Sequence, residues 1–293
     1  MIATPTIPAA TSRLGAVLLG TLAGLPVPLK GGRGSYAVLI TAGSDLLLFD
    51  TGRGATTNFG RAGYSTLDLR RMFFTHLHSD HVIDYPDIVL SPWASGRQGA
   101  VYVYGPEGSG DMTRRLFGPD GAFSLDIRAR IEASRARRTG VGLVWPEVHV
   151  TELFDPGEVC GTARWQVSCT FVRHHARYFS AMAYRVDMDG HSIVVGGDST
   201  PDEAMVELAR GADVLIHEGS YLKEGLLAAG MEDAHCSAED AADIARRAGV
   251  GHLVITHITR RTTPEKLARA EAVIRAIYPG QVSMAHDFMT ITL

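Results

Sequence analysis

The chain has 293 residues, of which 45% are hydrophobic and 20% are charged, and its formal net charge at pH 7 is -4. This length and composition allow a large buried core and predict a single globular domain spanning residues 1–293. The acidic balance excludes a whole-molecule electrostatic attraction to nucleic acid or to an anionic membrane, so binding to either would need a local patch.

Cysteine content and hydropathy bear on the cellular compartment. The three cysteines, Cys160, Cys169 and Cys236, do not form a CxxC pair or a zinc-finger spacing. No apolar run approaches the ~20 residues that a membrane-spanning helix needs. We therefore expect a soluble, cytoplasmic protein without membrane contact.

The first half of the chain is predicted to be rich in strands. Apolar runs between turn residues predict strands over residues 14–19, 36–41, 45–49, 72–74 and 101–104. Residues 67–71 are predicted to be the end of a short helix, and a further helix begins near residue 111.

In the second half, strands come first and then alternate with helices. Strands are predicted over residues 148–153, 165–172, 180–186, 192–196, 214–217, 253–256, 282–284 and 289–293. One helix is predicted to follow a cap at residues 200–203 and to end at residue 210, and two more are predicted over 237–248 and 264–277. Ser237 is the expected N-cap of the helix over 237–248, and Gly249 is expected to end it. Because strands followed by helices occur twice, we expect two sheet-and-helix halves within one domain.

An unusual insert occupies residues 118–146. Within it, residues 124–138 have helical spacing of apolar side chains and carry five arginines, namely Arg128, Arg130, Arg135, Arg137 and Arg138. A basic helix of this kind is most often a solvated face. The alternative is a lid, or a rim that attracts phosphate.

Four potential metal ligands lie within six residues, directly after the apolar run at 72–74: His76, His78, Asp80 and His81. Imidazole and carboxylate groups suit zinc, and catalytic zinc sites keep an open position for water. His76 and His78 can point the same way from a strand end, whereas Asp80 and His81 face elsewhere. This arrangement favours two adjacent metal ions over one.

Further candidate ligands follow other apolar runs: either His174 or His175, then Asp198, then His257. Each is a weak signal alone, since a lone histidine is more often a core or surface residue. Their repeated position at the carboxyl ends of predicted strands, where α/β sheets bind ligands, favours a shared site.

The succession of His-x-His-x-Asp-His, a later histidine, Gly-Asp and a late Thr-His resembles the metallo-β-lactamase fold, and its details resemble the ribonuclease Z branch. The similarity extends to residues 19–21, 49–54, 104–106, 214–218, 234–237 and 286–288. It implies an α/β fold of four layers, the αββα sandwich of the metallo-β-lactamase type.

The resemblance also implies a ligand set for two divalent metal ions, with zinc as the expected metal. His76, His78 and His174 would hold the first ion, Asp80, His81 and His257 the second, and Asp198 would bridge them. His174 is preferred to His175 because it follows an apolar, apolar, charged triplet, as the family's histidine does.

By the same resemblance, Asp80, Glu218 and His235 are the catalytic candidates, with Glu218 orienting His235 as a proton donor to the leaving oxygen. The alternatives are a structural carboxylate at Glu218 and a helix-capping neighbour at His235. Asp50 is expected to fix the tautomer of a ligand histidine. The other histidines are interpreted as structural or surface residues: His149, His191, His217, His252 and His286.

One departure from the ribonuclease Z branch concerns substrate. Members of that branch resemble one another in a long arm that grips transfer RNA, whereas here residues 177–196 are only long enough for a hairpin. We therefore expect a hydrolase that cleaves a phosphodiester or similar ester with a metal-bridging hydroxide, and do not expect transfer RNA as the main substrate. The alternatives are a lactonase, thioesterase or arylsulfatase, and a non-catalytic metal-binding protein. The family also makes a homodimer reasonable.

Overall fold

A computed structural model describes residues 13–24, 32–136, 142–175 and 177–293. Two sheets of seven strands form the centre of the fold. The strands of the first are β1 (Leu14–Gly20), β2 (Ala37–Ala42), β3 (Asp45–Phe49), β4 (Arg71–Phe73), β5 (Val101–Gly105), β6 (Val148–Glu152) and β14 (Thr290–Thr292). Their order is β14-β1-β2-β3-β4-β5-β6. The strands from β3 to β6 run parallel.

The second sheet contains the later strands. They are β7 (Gly157–Gly161), β8 (Trp165–Val172), β9 (Ala181–Met188), β10 (His191–Val195), β11 (Val214–His217), β12 (His252–Ile255) and β13 (Gln281–Met284). The order is β13-β12-β11-β10-β9-β8-β7, antiparallel from β7 to β10 and parallel from β10 to β13.

Helices cover the outer face of each sheet. The described helices are α1 (Ala55–Arg61), α2 (Ser79–Val82), α3 (Tyr85–Ala94), α4 (Ser109–Phe117), α5 (Ser124–Ala136), α6 (Glu203–Leu208), α7 (Lys223–Ala228), α8 (Ala238–Ala248) and α9 (Pro264–Ile277). Apolar side chains of α1, α3, α4 and α5 pack on the first sheet, and those of α6, α8 and α9 pack on the second. The four layers confirm the predicted αββα sandwich. None of these helices is long and apolar enough to cross a bilayer.

The inner faces of the two sheets pack on each other through a buried apolar layer that ends next to the candidate ligands. The rings of Phe49 and Phe73 stack at 4.6 Å, and Tyr184 of the opposite sheet contacts Phe73 at 5.6 Å. The hydroxyl of Tyr184 donates a hydrogen bond of 2.8 Å to the carbonyl oxygen of Phe74. The segment that leads into the ligand cluster is therefore fixed from both sheets.

Local predictions differ from the structure at several places. Residues 67–71 are predicted as the end of a helix, but they form a turn that leads into β4. The Ser65 hydroxyl accepts a hydrogen bond from the Leu67 amide at 3.2 Å, and the Ser65 carbonyl oxygen accepts one from the Asp68 amide at 3.0 Å, which favours the turn over a helix. Strand β7 and the helices α1, α2, α3 and α7 were not predicted. The basic helix is confirmed from Ser124 to Ala136, and residues 137 and 138 lie outside the described residues.

Gly52 allows the segment after β3 to lie against the ligand cluster. A β-carbon there would lie 2.4 Å from the carbonyl oxygen of Asp80 and 2.5 Å from that of Tyr36. We expect Gly52→Ala to lower the free energy of unfolding by about 1–3 kcal/mol and to lower the bound metal, because the backbone of Asp80 must shift.

Gly60 in α1 offers a matched control, since a β-carbon there meets no atom within 4 Å. Gly60→Ala is expected to raise stability by up to about 1 kcal/mol, as alanine favours a helix over glycine. Urea unfolding and metal analysis check both variants. Wild-type stability and metal content in Gly52→Ala would contradict the expectation.

Candidate metal centre

The candidate site residues follow strands whose carboxyl ends meet at one edge of the sandwich. Parallel strands place their carboxyl ends on the same side, so residues far apart in sequence come together there. The residues that follow in this way are Asp50 after β3, His76 after β4, His174 after β8, Asp198 after β10, Glu218 after β11 and His257 after β12. His78, Asp80 and His81 lie in and next to the one-turn helix α2.

Three imidazoles form the first ligand group. The Nδ1 atom of His78 lies 3.0 Å from Nε2 of His76 and 3.0 Å from Nε2 of His174. One ring nitrogen cannot form good hydrogen bonds with both neighbours in one tautomer. Three nitrogens that point at one place are better matched by a single cation, and imidazole nitrogen is a ligand that zinc prefers.

The second group contains Asp80, His81 and His257. The Nε2 atom of His257 lies 3.4 Å from Nε2 of His81 and 3.5 Å from Oδ2 of Asp80. His81 Nε2 is 3.7 Å from the same carboxylate oxygen. A carboxylate and two imidazoles again form a donor set suited to zinc.

Asp198 lies between the two groups. Its Oδ2 is 3.3 Å from Nε2 of His257, 3.6 Å from Nε2 of His81 and 3.9 Å from Nε2 of His174. Its other oxygen, Oδ1, is buried and has no hydrogen-bond partner within the described segments. A buried carboxylate oxygen without a partner is costly unless a cation lies next to it. The residues therefore fit divalent metal on both sides of Asp198.

The protonation states of His76, His78 and Asp198 suit metal binding, whereas His81 would lose a proton when metal binds. Burial disfavours the charge on His81, but the carboxylates of Asp198 and Asp50 outweigh burial and raise the pKa of His81 well above its usual value. Burial lowers the pKa of His76 well below its usual value. Burial and the neighbouring His174 lower the pKa of His78 to about 4. Burial opposes ionisation of Asp198, but the facing His257 and His81 hold the pKa of its carboxyl well below the usual range. His76 and His78 are thus neutral and Asp198 is an anion, which are the forms that bind metal.

Asp50 supports the second group from behind. Its carboxylate accepts hydrogen bonds from the Thr75 amide at 2.8 Å and the Thr75 hydroxyl at 2.7 Å. It also accepts from Nδ1 of His81 at 2.8 Å. This contact fixes the proton of His81 on Nδ1 and turns Nε2 toward the site, the role that the sequence predicts.

Asp50→Asn is expected to lower zinc affinity by about 10–100-fold, because the amide no longer holds His81 as a charged acceptor does. A chelator-competition titration measures this change. Asp45→Asn at the other end of β3 is the control, since Asp45 contacts Arg71 and Trp165 away from the site. Equal zinc affinity in the two variants would contradict the role of Asp50.

Glu218 and His235 form a pair next to Asp198. Nδ1 of His235 donates to Oε2 of Glu218 at 2.9 Å and lies 3.9 Å from Oδ2 of Asp198. The Ser199 amide donates to the other Glu218 oxygen at 2.8 Å. Burial disfavours the charge on His235, but Glu218 outweighs it and raises the pKa of His235 to about 9. His235 is therefore a proton-carrying group at neutral pH.

Several contacts at the site were not predicted. The Gly24 amide donates to Oδ2 of Asp80 at 2.7 Å, and the Ala234 carbonyl accepts from Nδ1 of His174 at 2.6 Å. Tyr36 stacks on His81 with ring centroids 4.9 Å apart. The first two are backbone groups, which residue identity does not signal. The φ of Gly24 is +70°, a backbone conformation that favours glycine.

His174 and His175 differ in burial and in the histidines that surround them. His174 is buried and belongs to the group with His76 and His78. His175 is exposed, with its ring centroid 5.4 Å from that of His78. His175 therefore lies at the rim of the first group.

A cleft of 320 Å³ opens above the site. Candidate ligands and the Glu218–His235 pair form part of its lining, and Gly24, Tyr221 and Thr259 complete its walls. None of the described residues between 118 and 146 lines this cleft. Ile127 of α5 is buried on the outer face of the first sheet. The packing favours the solvated-face interpretation of the basic helix over a lid.

Comparison with known proteins identifies the family of this chain. A family model described as "Beta-lactamase superfamily domain" matches residues 38–258. The chain belongs to the β-lactamase superfamily. This membership confirms the predicted resemblance. Together with the homologues of this chain, it identifies the protein as a metal-dependent hydrolase.

Relatives of this superfamily member include enzymes named ribonuclease Z. The one from Mycolicibacterium gilvum (strain PYR-GCK) is 30% identical over 281 residues, covering 92% of this chain and 93% of the relative. Among solved structures, the metallo-β-lactamase fold protein YhfI from Bacillus subtilis aligns with a TM-score of 0.74 at 17% identity, over 96% of this chain and 99% of that one. The short form of human tRNase Z aligns with a TM-score of 0.67 at 23% identity, over 94% and 98%. These two structures support the fold.

Proposed function

We propose that this β-lactamase superfamily member is a phosphodiesterase that uses two zinc ions. The observation that supports this proposal most strongly is the position of Asp198, which faces His174 of one ligand group and His257 of the other. In the proposal, His76, His78 and His174 would hold one ion, Asp80, His81 and His257 would hold the other, and Asp198 would serve both. When bound, two such ions supply an activated water as nucleophile and stabilise negative charge on a phosphoryl group.

The chain's own groups then handle the proton of the leaving oxygen. Because Nδ1 of His235 donates to Glu218, its Nε2 is the nitrogen available to a substrate in the cleft. In the proposal, His235 donates a proton from Nε2 to the leaving oxygen, and Glu218 stabilises the charged imidazole and fixes its orientation. The Ser199 amide, which donates to Glu218, keeps that carboxylate in place.

The size of the preferred substrate is a separate question. Strands β9 and β10 are joined by a tight turn at Asp189 and Gly190, so residues 177–196 include a hairpin where the ribonuclease Z branch is expected to carry an arm. However, the alignment covers 92% of this chain and 93% of the M. gilvum ribonuclease Z, so the two have nearly the same length. The hairpin therefore does not separate this chain from that relative, and the expectation that transfer RNA is not the main substrate stays a prediction.

A substrate panel tests the proposed function. The zinc-loaded protein is assayed with bis-p-nitrophenyl phosphate, p-nitrophenyl acetate, an aryl sulfate, a lactone and a precursor transfer RNA. We expect the phosphodiester to be cleaved with the highest kcat/KM among the small substrates. Faster turnover of the carboxylic ester, the sulfate or the lactone would contradict phosphodiesterase activity. Efficient trimming of the precursor would instead overturn the prediction about transfer RNA.

Assembly and location complete the proposal. The family resemblance supports a homodimer, and the cysteine pattern supports a cytoplasmic location. Light scattering of the purified zinc-loaded protein measures its mass against the 31.5 kDa of one chain. A mass of one chain at micromolar concentration would contradict the dimer.

A further inference from the structure

A second, smaller pocket lies beside the metal cleft. It has a volume of 190 Å³ and is lined by α7, α9 and the loops that precede these two helices. Tyr221 lines both this pocket and the cleft that holds the candidate ligands. A substrate that fills the cleft therefore lies next to this pocket.

Hydroxyl groups form the wall between the two spaces. The Tyr221 hydroxyl donates to Oγ1 of Thr259 at 3.2 Å, and Oγ1 of Thr259 lies 3.0 Å from Oγ1 of Thr262. Thr259 lines the metal cleft and Thr262 lines the second pocket. The boundary is thus polar and suits a substrate whose linkage crosses it.

The pocket carries an excess of positive charge. Arg261, Lys266 and Arg269 line it together with one carboxylate, Glu224. Arg269 pairs with Glu224 at 3.4 Å. Arg261 and Lys266 are exposed, and neither forms an ion pair with any residue in the described ranges. Three cations and one anion give the pocket a net charge of +2, which complements the negative charge of a phosphate group.

We propose that this pocket binds a second phosphate group of the substrate, while the scissile phosphodiester lies in the metal cleft. This inference rests on the proposed phosphodiesterase function and narrows its substrate class. Arg261 and Lys266 would contact the second phosphate, and Tyr221 would lie beside the linkage between the two phosphates. The preferred substrate is then a nucleotide diester with a neighbouring phosphate, and a neutral lactone or thioester leaves the pocket unused.

Two substrates with the same scissile bond isolate the pocket. They are the p-nitrophenyl ester of thymidine 5′-phosphate and the same ester with an added 3′-phosphate. We expect the wild-type protein to have a KM at least about tenfold lower for the second substrate, because hydrogen bonds between charged groups exceed neutral ones in strength. In the double variant Arg261→Ala, Lys266→Ala, the KM ratio is expected to fall to about one.

The double variant Arg210→Ala, Arg246→Ala removes the same charge from exposed positions outside both cavities and should keep the wild-type ratio. A KM ratio near one in the wild-type protein, or an unchanged ratio without Arg261 and Lys266, would overturn the inference. Calorimetric binding of thymidine 3′,5′-bisphosphate gives a readout without turnover. Here the pocket variant should bind at least about tenfold more weakly than the control, and equal affinities would overturn the inference even if the phosphodiesterase proposal fails.

Discussion

Replacing Asp198 with alanine is expected to lower turnover of bis-p-nitrophenyl phosphate by at least about 10³-fold and to lower the bound metal. The carboxylate faces imidazoles of both ligand groups, and its Oδ1 is buried without a partner in the described part of the chain. Without this carboxylate, the two ligand groups lose the negative charge that they share. Two bound metal ions would then repel each other with no anion between them. Metal analysis and steady-state kinetics on the same preparation measure both effects.

Asp202→Ala is a matched control four positions along the chain. Asp202 caps α6 by accepting from the Ala204 amide at 3.0 Å. Loss of an N-cap typically costs about 1 kcal/mol of stability. This variant should therefore unfold more easily but keep its metal and its turnover. If Asp198→Ala behaves as Asp202→Ala does, with full metal content and activity, the ligand assignment is wrong.

His235→Ala is expected to keep the metal and to slow turnover by about 10²–10⁴-fold for a diester with a poor leaving group. The effect should be much smaller for p-nitrophenyl esters, because p-nitrophenolate leaves readily without a proton. The comparison of the two leaving groups separates proton donation from a general loss of structure. An equal loss for both substrates would contradict the role of His235 as acid.

The surface pair His149 and Glu147 provides the control for this variant. Their side chains lie 2.7 Å apart, as a histidine next to a glutamate, but both are exposed on the first sheet. His149→Ala is expected to leave the kinetics of both substrates unchanged. A comparable loss in His149→Ala would show that the effect is not specific to the cleft.

The pH dependence follows from the pKa of His235, which Glu218 raises to about 9 against the opposing effect of burial. The protonated form is the acid, so the rate with a poor leaving group should fall as pH rises through the pKa of His235, which bound cations next to Asp198 and Asp80 hold below about 9. Glu218→Gln removes the charge that raises the pKa and should move this fall to lower pH. The ion pair between His235 and Glu218 also stabilises the fold. This stabilisation is fully present below pH 6.5, the usual pKa of histidine, and is lost as pH rises through about 9.

Much of the metal centre could be predicted because its ligands carry their own signal. The residue types at His76, His78, Asp80 and His81 crowd into one short segment, which random sequence rarely produces. The remaining ligands follow apolar runs, and the carboxyl ends of parallel strands converge. The family resemblance then indicated His174 in place of its neighbour His175, as the buried position of His174 in the structure supports.

The parts that were missed depend on groups without a sequence signature. The Gly24 amide and the Ala234 carbonyl act through the backbone, so any residue type offers the same atoms. Strand β7 was missed because all five of its residues are exposed or half-buried, so it lacks an alternation of buried apolar and exposed polar residues. The second pocket joins residues of α7 and α9 that are far apart in sequence, so only the packing of these helices reveals it.

We propose that seven side chains hold two metal ions, one on each side of Asp198. Anomalous diffraction at the zinc absorption edge from crystals of the zinc-loaded protein tests it directly. We expect two peaks about 3.5–4 Å apart, one among His76, His78 and His174 and the other among Asp80, His81 and His257. A single peak, or peaks away from these residues, would contradict the claim.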